Sequence, residues 1–212
     1  MLTTVDYTYD LHMWNSAYQE MMDTATTLDF YRTSYEDEIS RKELEANLVS
    51  LEAWAAYAHT NKLLYHVYVR LAGTGQPYAA LILNDGNVIV SFLDEYHREY
   101  MIYTFMGKHE PGRLFLESLH YFEYPDAQWA TPAESSADTQ YEFTPGGQLT
   151  VRREYSKDDG HRYQSEQTAT DPVDVGPNWE PAPVLGDYVG VLALKRWGEQ
   201  GTIVPLPQPE FG

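Results

Sequence analysis

The chain has 212 residues, of which 32 are Asp or Glu and 14 are Lys or Arg, for a formal net charge of −18. That balance argues against sequence-independent nucleic-acid binding, which needs Lys and Arg against phosphate, and against a polybasic anchor on anionic lipid. The absence of cysteine removes disulfides, thiolate catalysis and Cys-ligated metals together.

At 43% hydrophobic the chain can build a real core. Its length suits one domain over 1–212. Met1 to Asp6 has neither the basic nor the apolar region of a signal peptide. No apolar run approaches the ~18–20 residues of a membrane helix. The expected location is cytoplasmic, with no membrane contact.

Residues 1–62 read as helical. Val5, Tyr7 and Tyr9 alternate as a short edge strand. Asp10 is then a candidate N-cap for a helix to about Phe30, with Leu11, Trp14, Tyr18, Met21, Met22, Ala25 and Leu28 near one face. Thr33 to Ile39 is an acidic break. Ser40-Arg41-Lys42-Glu43 is a capping box, and Leu44, Leu48, Leu51, Ala55 and Ala58 mark one face of a helix running to about His59.

Residues 63–124 read as a β-meander. Leu63 to Leu71 alternates with the period of a strand. Tyr78 to Leu83 is apolar enough to be buried on both faces. Asp85-Gly86 between two apolar runs predicts a type I′ hairpin, because both central residues need positive φ. Val88 to Leu93 returns. Tyr96 to Met106 puts His97, Glu99, Met101, Tyr103 and Phe105 on one face, and Arg113 to Tyr124 is a long strand. Short connections between successive strands make the pairing antiparallel.

Pro125 to Asp138 is a long polar loop, which Trp129 is expected to hold. Residues 139–197 contain further hairpins, over 139–155 and 161–168, that are polar on both faces. A Pro-rich loop over 171–187 follows, then a closing strand, Tyr188 to Trp197. The Pro-rich tail, 198–212, is expected to lie extended. Helices followed by strands give the expected class, α+β: two N-terminal helices packed on a large, mainly antiparallel twisted sheet of roughly seven to nine strands, a partial barrel if the last strand closes it.

No motif assigns a reaction or a cofactor. Gly73-Thr74-Gly75 lacks the rest of a dinucleotide fingerprint, and there is no P-loop, His-Glu-x-x-His or Gly-x-Ser-x-Gly. His66, His97 and His120 lie in expected strands. They could bind a divalent metal if they converged, but the plainer expectation is three half-buried histidines bonded to neighbours. Nothing singles out a carboxylate pair for acid–base catalysis. The tyrosines admit another function: Tyr65, Tyr100, Tyr103 and Tyr121 could line a cup in a curved sheet that binds a small apolar ligand. Alternatively they fill the core.

Arg113-Leu114-Phe115-Leu116 leading to Phe122-Glu123-Tyr124, and Tyr141 to Gly147 opening a hairpin, form a pattern in the second half of the chain. With the acidic balance and lack of Cys, it resembles the immunity proteins of bacterial polymorphic-toxin systems. The resemblance implies a cytoplasmic inhibitor that covers the active site of a basic toxin domain. The expected function is therefore an acidic, non-catalytic protein-interaction module, with Tyr35, Glu36, Asp37, Glu38, Asp94 and Glu95 as its contact surface. A ligand-binding barrel is the alternative and a hydrolase the third reading.

Overall fold

The structure, a computed structural model, describes residues 6–126, 128, 130–156 and 161–194. It is α+β, with three helices and a ten-stranded antiparallel sheet. The expected Trp129 contact and the expected tail at 198–212 lie outside the described residues.

The edge strand expected near the N-terminus forms as β1 (Tyr7–Asp10), but the helix expected from Asp10 does not. The chain instead makes a small hairpin, β2 (Trp14–Asn15) and β3 (Glu20–Met21), with Gln19 at positive φ in its turn. The Asn15 side-chain amide oxygen accepts from the backbone N–H of Ala17 and Tyr18, so a polar side chain rather than a helix satisfies this backbone. Helix α1 (Thr24–Tyr35) starts later, where Asp23 caps the N–H of Thr26.

Ser40 caps α2 (Arg41–Asn47) by accepting from Glu43 N–H, the half of the expected capping box that forms; the Glu43 carboxylate accepts from the Tyr57 hydroxyl instead. The single helix expected to follow is two: Ser50 caps a new helix, α3 (Leu51–Asn61), by accepting from Ala53 N–H. Leu51, Trp54, Ala55 and Ala58 of α3 are buried, at the three- and four-residue spacing of one helix face.

The meander is present: β4 (Tyr65–Leu71), β5 (Pro77–Asn84), β6 (Asn87–Leu93), β7 (Glu99–Met106) and β8 (Arg113–Glu123) pair in chain order. Asp85 (φ 49°) and Gly86 (φ 73°) both have positive φ, as the predicted β5–β6 turn demands. β9 (Ala137–Phe143), β10 (Leu149–Ser156) and β11 (Arg162–Thr168) extend it. β12 (Trp179–Pro181) pairs with the first half of β8, whose second half pairs with β9.

The sheet is open. β1 and β11 stand at its two ends and do not pair with one another, so no barrel forms. The expected closing strand is also absent: Tyr188 to Leu194 is turn and irregular chain, and 195–197 lie outside the described residues. This segment covers a face instead of closing an edge. Tyr188, Val191 and Leu192 are buried in the main core, and the Tyr78 hydroxyl donates to Leu192 O at 3.1 Å. Gly147 (φ +87°) lets the chain approach: a Cβ there would sit 2.8 Å from Val173 O.

Thus one sheet face is closed. Val67, Val69, Leu81, Val90, Phe92, Met101, Tyr103 and Leu119 point into a core shared with α3 and the 171–194 segment. The start of β4, which β1 does not reach, is protected by aromatic side chains. The Tyr35 hydroxyl accepts from Leu64 N–H, the Tyr31 hydroxyl from His66 N–H, and Trp54 Nε1–H donates to Leu64 O. An edge that would template further pairing is satisfied from within.

Candidate functional site

The opposite face carries His66, Tyr68, Ala80, Ile82, Ile89, Ser91, Ile102, Thr104, Ser118, His120, Gln140 and Glu142 in cross-strand rows. Its upper corner is covered by the β2–β3 hairpin. Trp14 stacks on Tyr68, with ring centroids 5.2 Å apart and planes at 9°, and Trp14 and Met21 pack on Tyr68, Ala80 and Leu93. Gln19 Nε2 reaches Ala130 O, tying the hairpin to the loop before β9. The centre of the face stays open: Ile82 is 36% exposed, and Ile89, Ile102, Thr104, Ser118 and His120 are half-buried.

The three histidines do not converge. His66 is buried beside α1, where its Nδ1 hydrogen-bonds the Tyr31 hydroxyl at 2.9 Å and Phe30 packs edge-on against its ring. Burial pushes its pKa down to about 4, so it is neutral at pH 7. His97 is not in a strand but in the exposed β6–β7 turn, at φ 61°. His120 lies on β8, its Nδ1 3.9 Å from Asp138 Oδ1. Among the described residues no group of three or more His, Asp or Glu is arranged to hold a metal ion.

The tyrosine cup does not form either. Tyr65 and Tyr103 are among the largest fully buried side chains, and Tyr100 and Tyr121 pack against the same core. Tyr65 hydrogen-bonds His59 Nδ1 at 2.9 Å, and burial raises its pKa. Burial raises Tyr100 to about 12. These rings belong to or pack on the same core cluster as residues of α3 and of the 171–194 segment.

The six expected contact residues separate into two kinds. Tyr35 is core, held by its bond to Leu64 N–H. Asp94 is structural: it pairs with Arg98 at 2.8 Å and accepts from Tyr96 and Arg98 N–H. The Arg98 side chain, only 8% exposed, lies over the rings of Tyr96 and Tyr124 and donates to Asp126 O and Gln128 O. Glu95 is exposed beside it. Glu36, Asp37 and Glu38 are exposed at the C-terminal end of α1. None of these three has a side-chain hydrogen bond or ion pair among the described residues. Glu36 and Asp37 also line a recess of about 540 Å³ between α1 and α2, with Arg32, Arg41, Leu44 and Glu45.

Two carboxyls were missed by sequence reading. Glu99 was expected on one strand face with Met101, Tyr103 and Phe105, but a register shift between Phe92 and Leu93 sets it opposite Leu93, on the other face. Burial raises its pKa, and a hydrogen bond from Ser91 offsets part of that. Asp138 is raised by burial as well, and its buried Oδ1 accepts no hydrogen bond. A signal for the open face was present in Tyr78 to Leu83, apolar on both faces although only one is covered. His120 accepts or donates no hydrogen bond among the described residues.

No protein-family model, no curated protein and no solved structure matches this chain. None of the described helices is long and apolar enough to cross a membrane.

Proposed function

We propose that this chain is an acidic, non-catalytic protein-interaction module of the immunity type, which binds and neutralises a basic toxin domain. The observation that carries this reading is the run Glu36-Asp37-Glu38. Carboxylates at a helix C-terminus face the negative end of the macrodipole, so they work against α1. Among the described residues none of the three forms an ion pair, although Arg32 and Arg41 line the same recess as Glu36 and Asp37. Charge held against local preference and left exposed is what a basic partner would use, by steering its approach and excluding wrong partners. The surroundings reinforce it: Asp23 to Glu52 holds eight acidic and three basic residues. The resemblance of the second half of the chain to immunity proteins points the same way. The setting would be the cytoplasm of the toxin-producing cell.

The test is co-expression with the product of the neighbouring reading frame. That product is expected to arrest growth when expressed alone and to be neutralised by the wild-type chain. A Glu36→Lys, Asp37→Lys, Glu38→Lys variant, folded by circular dichroism, is expected to lose the protection and to lose co-purification at low salt. A harmless neighbour, or protection unchanged by the triple variant, would remove this reading.

A further inference from the structure

We infer, given the basic partner proposed for this chain, that its main seat is the open sheet face around Ile82, Ile89 and Ile102, and that the occupant is a basic amphipathic helix of that partner. Ile82 on β5 and Ile89 on β6 stand directly opposite one another. Ile102 on β7 pairs with Ser91, two residues further along β6. They form a diagonal apolar band in the middle of an otherwise polar face. The other face of the same sheet is closed by α3 and the 171–194 segment, but here Trp14 and Met21 cover one corner and α1 covers His66, while Ile82, Ile89 and Ile102 stay partly exposed.

The dimensions suit a helix. The band and its border cross β5 to β8, and four strands at ~4.8 Å spacing span about 15 Å, against a helix diameter of ~10–12 Å. Packing a helix on a bare sheet face is the usual way to complete such a layer. The apolar stripe of an amphipathic helix would meet the isoleucines.

The charge selects the partner. On the far side of the band, beyond His120, Asp138 is half-buried, and its Oδ1 accepts no hydrogen bond. Within 4 Å, among the described residues, it meets one cationic candidate, His120, at 3.9 Å, and Arg162 acts on it from further off. Burial raises its pKa although His120 and Arg162 pull it down, so the cations at hand do not offset its desolvation. A Lys or Arg from the partner would supply the missing hydrogen-bond donor. Glu142, next along the face, already meets Arg152 at 2.7 Å and needs none. On the near side, Phe30 of α1 packs against His66, which pairs with Ile82. Phe30 thus brings α1 to the border of the band, and the acidic run Glu36 to Glu38 follows the end of this helix.

Two synthetic probes of equal length and charge separate this surface from general acidity: an amphipathic leucine–lysine helix and an unstructured glycine–lysine peptide. At low salt the wild type is expected to bind the helix about tenfold more tightly, the worth of roughly one buried isoleucine. Amide exchange should slow across β5–β8. Ile82→Ser with Ile89→Ser should erase the preference without altering binding of the glycine–lysine peptide. Asp138→Asn should weaken the helix alone, which keeps the test open if the isoleucine variant unfolds. Equal binding of both probes, or a preference that survives both variants, overturns the docking surface and leaves the acidic-module reading standing. Failure of both probes to bind at low salt defeats that reading as well. A dimer in sedimentation that Ile89→Lys dissociates would give the band to a second copy and also overturn it.

Discussion

The two faces of this sheet are made of the same strands, yet they solve different problems. The closed face has a helix and a long irregular segment laid over it, with Trp54 Nε1–H donating to Leu64 O and the Tyr78 hydroxyl to Leu192 O. The open face has a two-strand hairpin over one corner, an isoleucine band left half-exposed, and a carboxylate oxygen with no donor. Stability resides on the first face and unspent binding capacity on the second. Alternation along a strand is enough to separate the two roles, because successive side chains point to opposite faces.

Substitutions should reveal this asymmetry, and the largest effect belongs to the closed face. Trp54→Ala removes a side chain that is 0% exposed and leaves Leu64 O without its donor. A loss of about 3–5 kcal/mol is expected in urea denaturation.

The next effect is in pH. The folded His66 pKa, about 4, lies below its unfolded value. Between those values the unfolded chain binds more protons, so stability must rise with pH across that interval and fall as pH drops through it. The amount is about 3 kcal/mol, present in full above pH ~6.5 and lost by pH ~4. His66→Gln should flatten this limb. Glu99 and Asp138 work in the opposite sense. Their raised pKa values mean that the folded chain holds protons longer, so their contribution is best at low pH and declines as pH rises through the folded pKa. Glu99→Gln should therefore stabilise at pH 7, with the gain vanishing below the ordinary carboxylate range. Thermal melts over a pH series would show both slopes.

A smaller effect is expected at the hairpin. Trp14→Ala should cost about 2 kcal/mol, from a half-buried ring and its stack on Tyr68. Amide exchange should then quicken in β2 and β3 while β4 to β8 stay protected. Smallest of all, Ile82→Thr should change stability by less than ~0.5 kcal/mol, because the side chain already meets solvent. A large loss there would mean that the open face is a second core and would end its role as a docking surface.

Much of the fold was legible residue by residue. Asp85-Gly86 announced a turn that only positive φ permits, and Ser40-Arg41-Lys42-Glu43 announced a helix start; both are where they were expected. The α+β class followed from element order. The misreadings share one cause. Leu11, Trp14, Tyr18 and Met21 have helical spacing, but the same residues suit a hairpin whose Trp14 and Met21 reach a sheet surface, and periodicity does not name the surface. Ser50 was hidden inside a stripe that continued across two helices. A bulge at Leu93 moved Glu99 to the other face, and alternation has no way to record an extra residue.

For the candidate site, acidity was legible and position was not. Composition alone gave the carboxylate excess, the want of cysteine and the absence of a catalytic motif. These depend only on which residues are present, so the chain determined them by itself. Whether His66, His97 and His120 meet, whether the tyrosines enclose space, and which isoleucines stay uncovered depend on strand order, bulges and the path of the 171–194 segment. Those are set by non-local packing, where burial of large apolar surfaces outweighs local preference. The tertiary structure therefore made Tyr35 and Asp94 structural, left Glu36 to Glu38 exposed, and brought Ile82, Ile89 and Ile102 from three strands onto one open face.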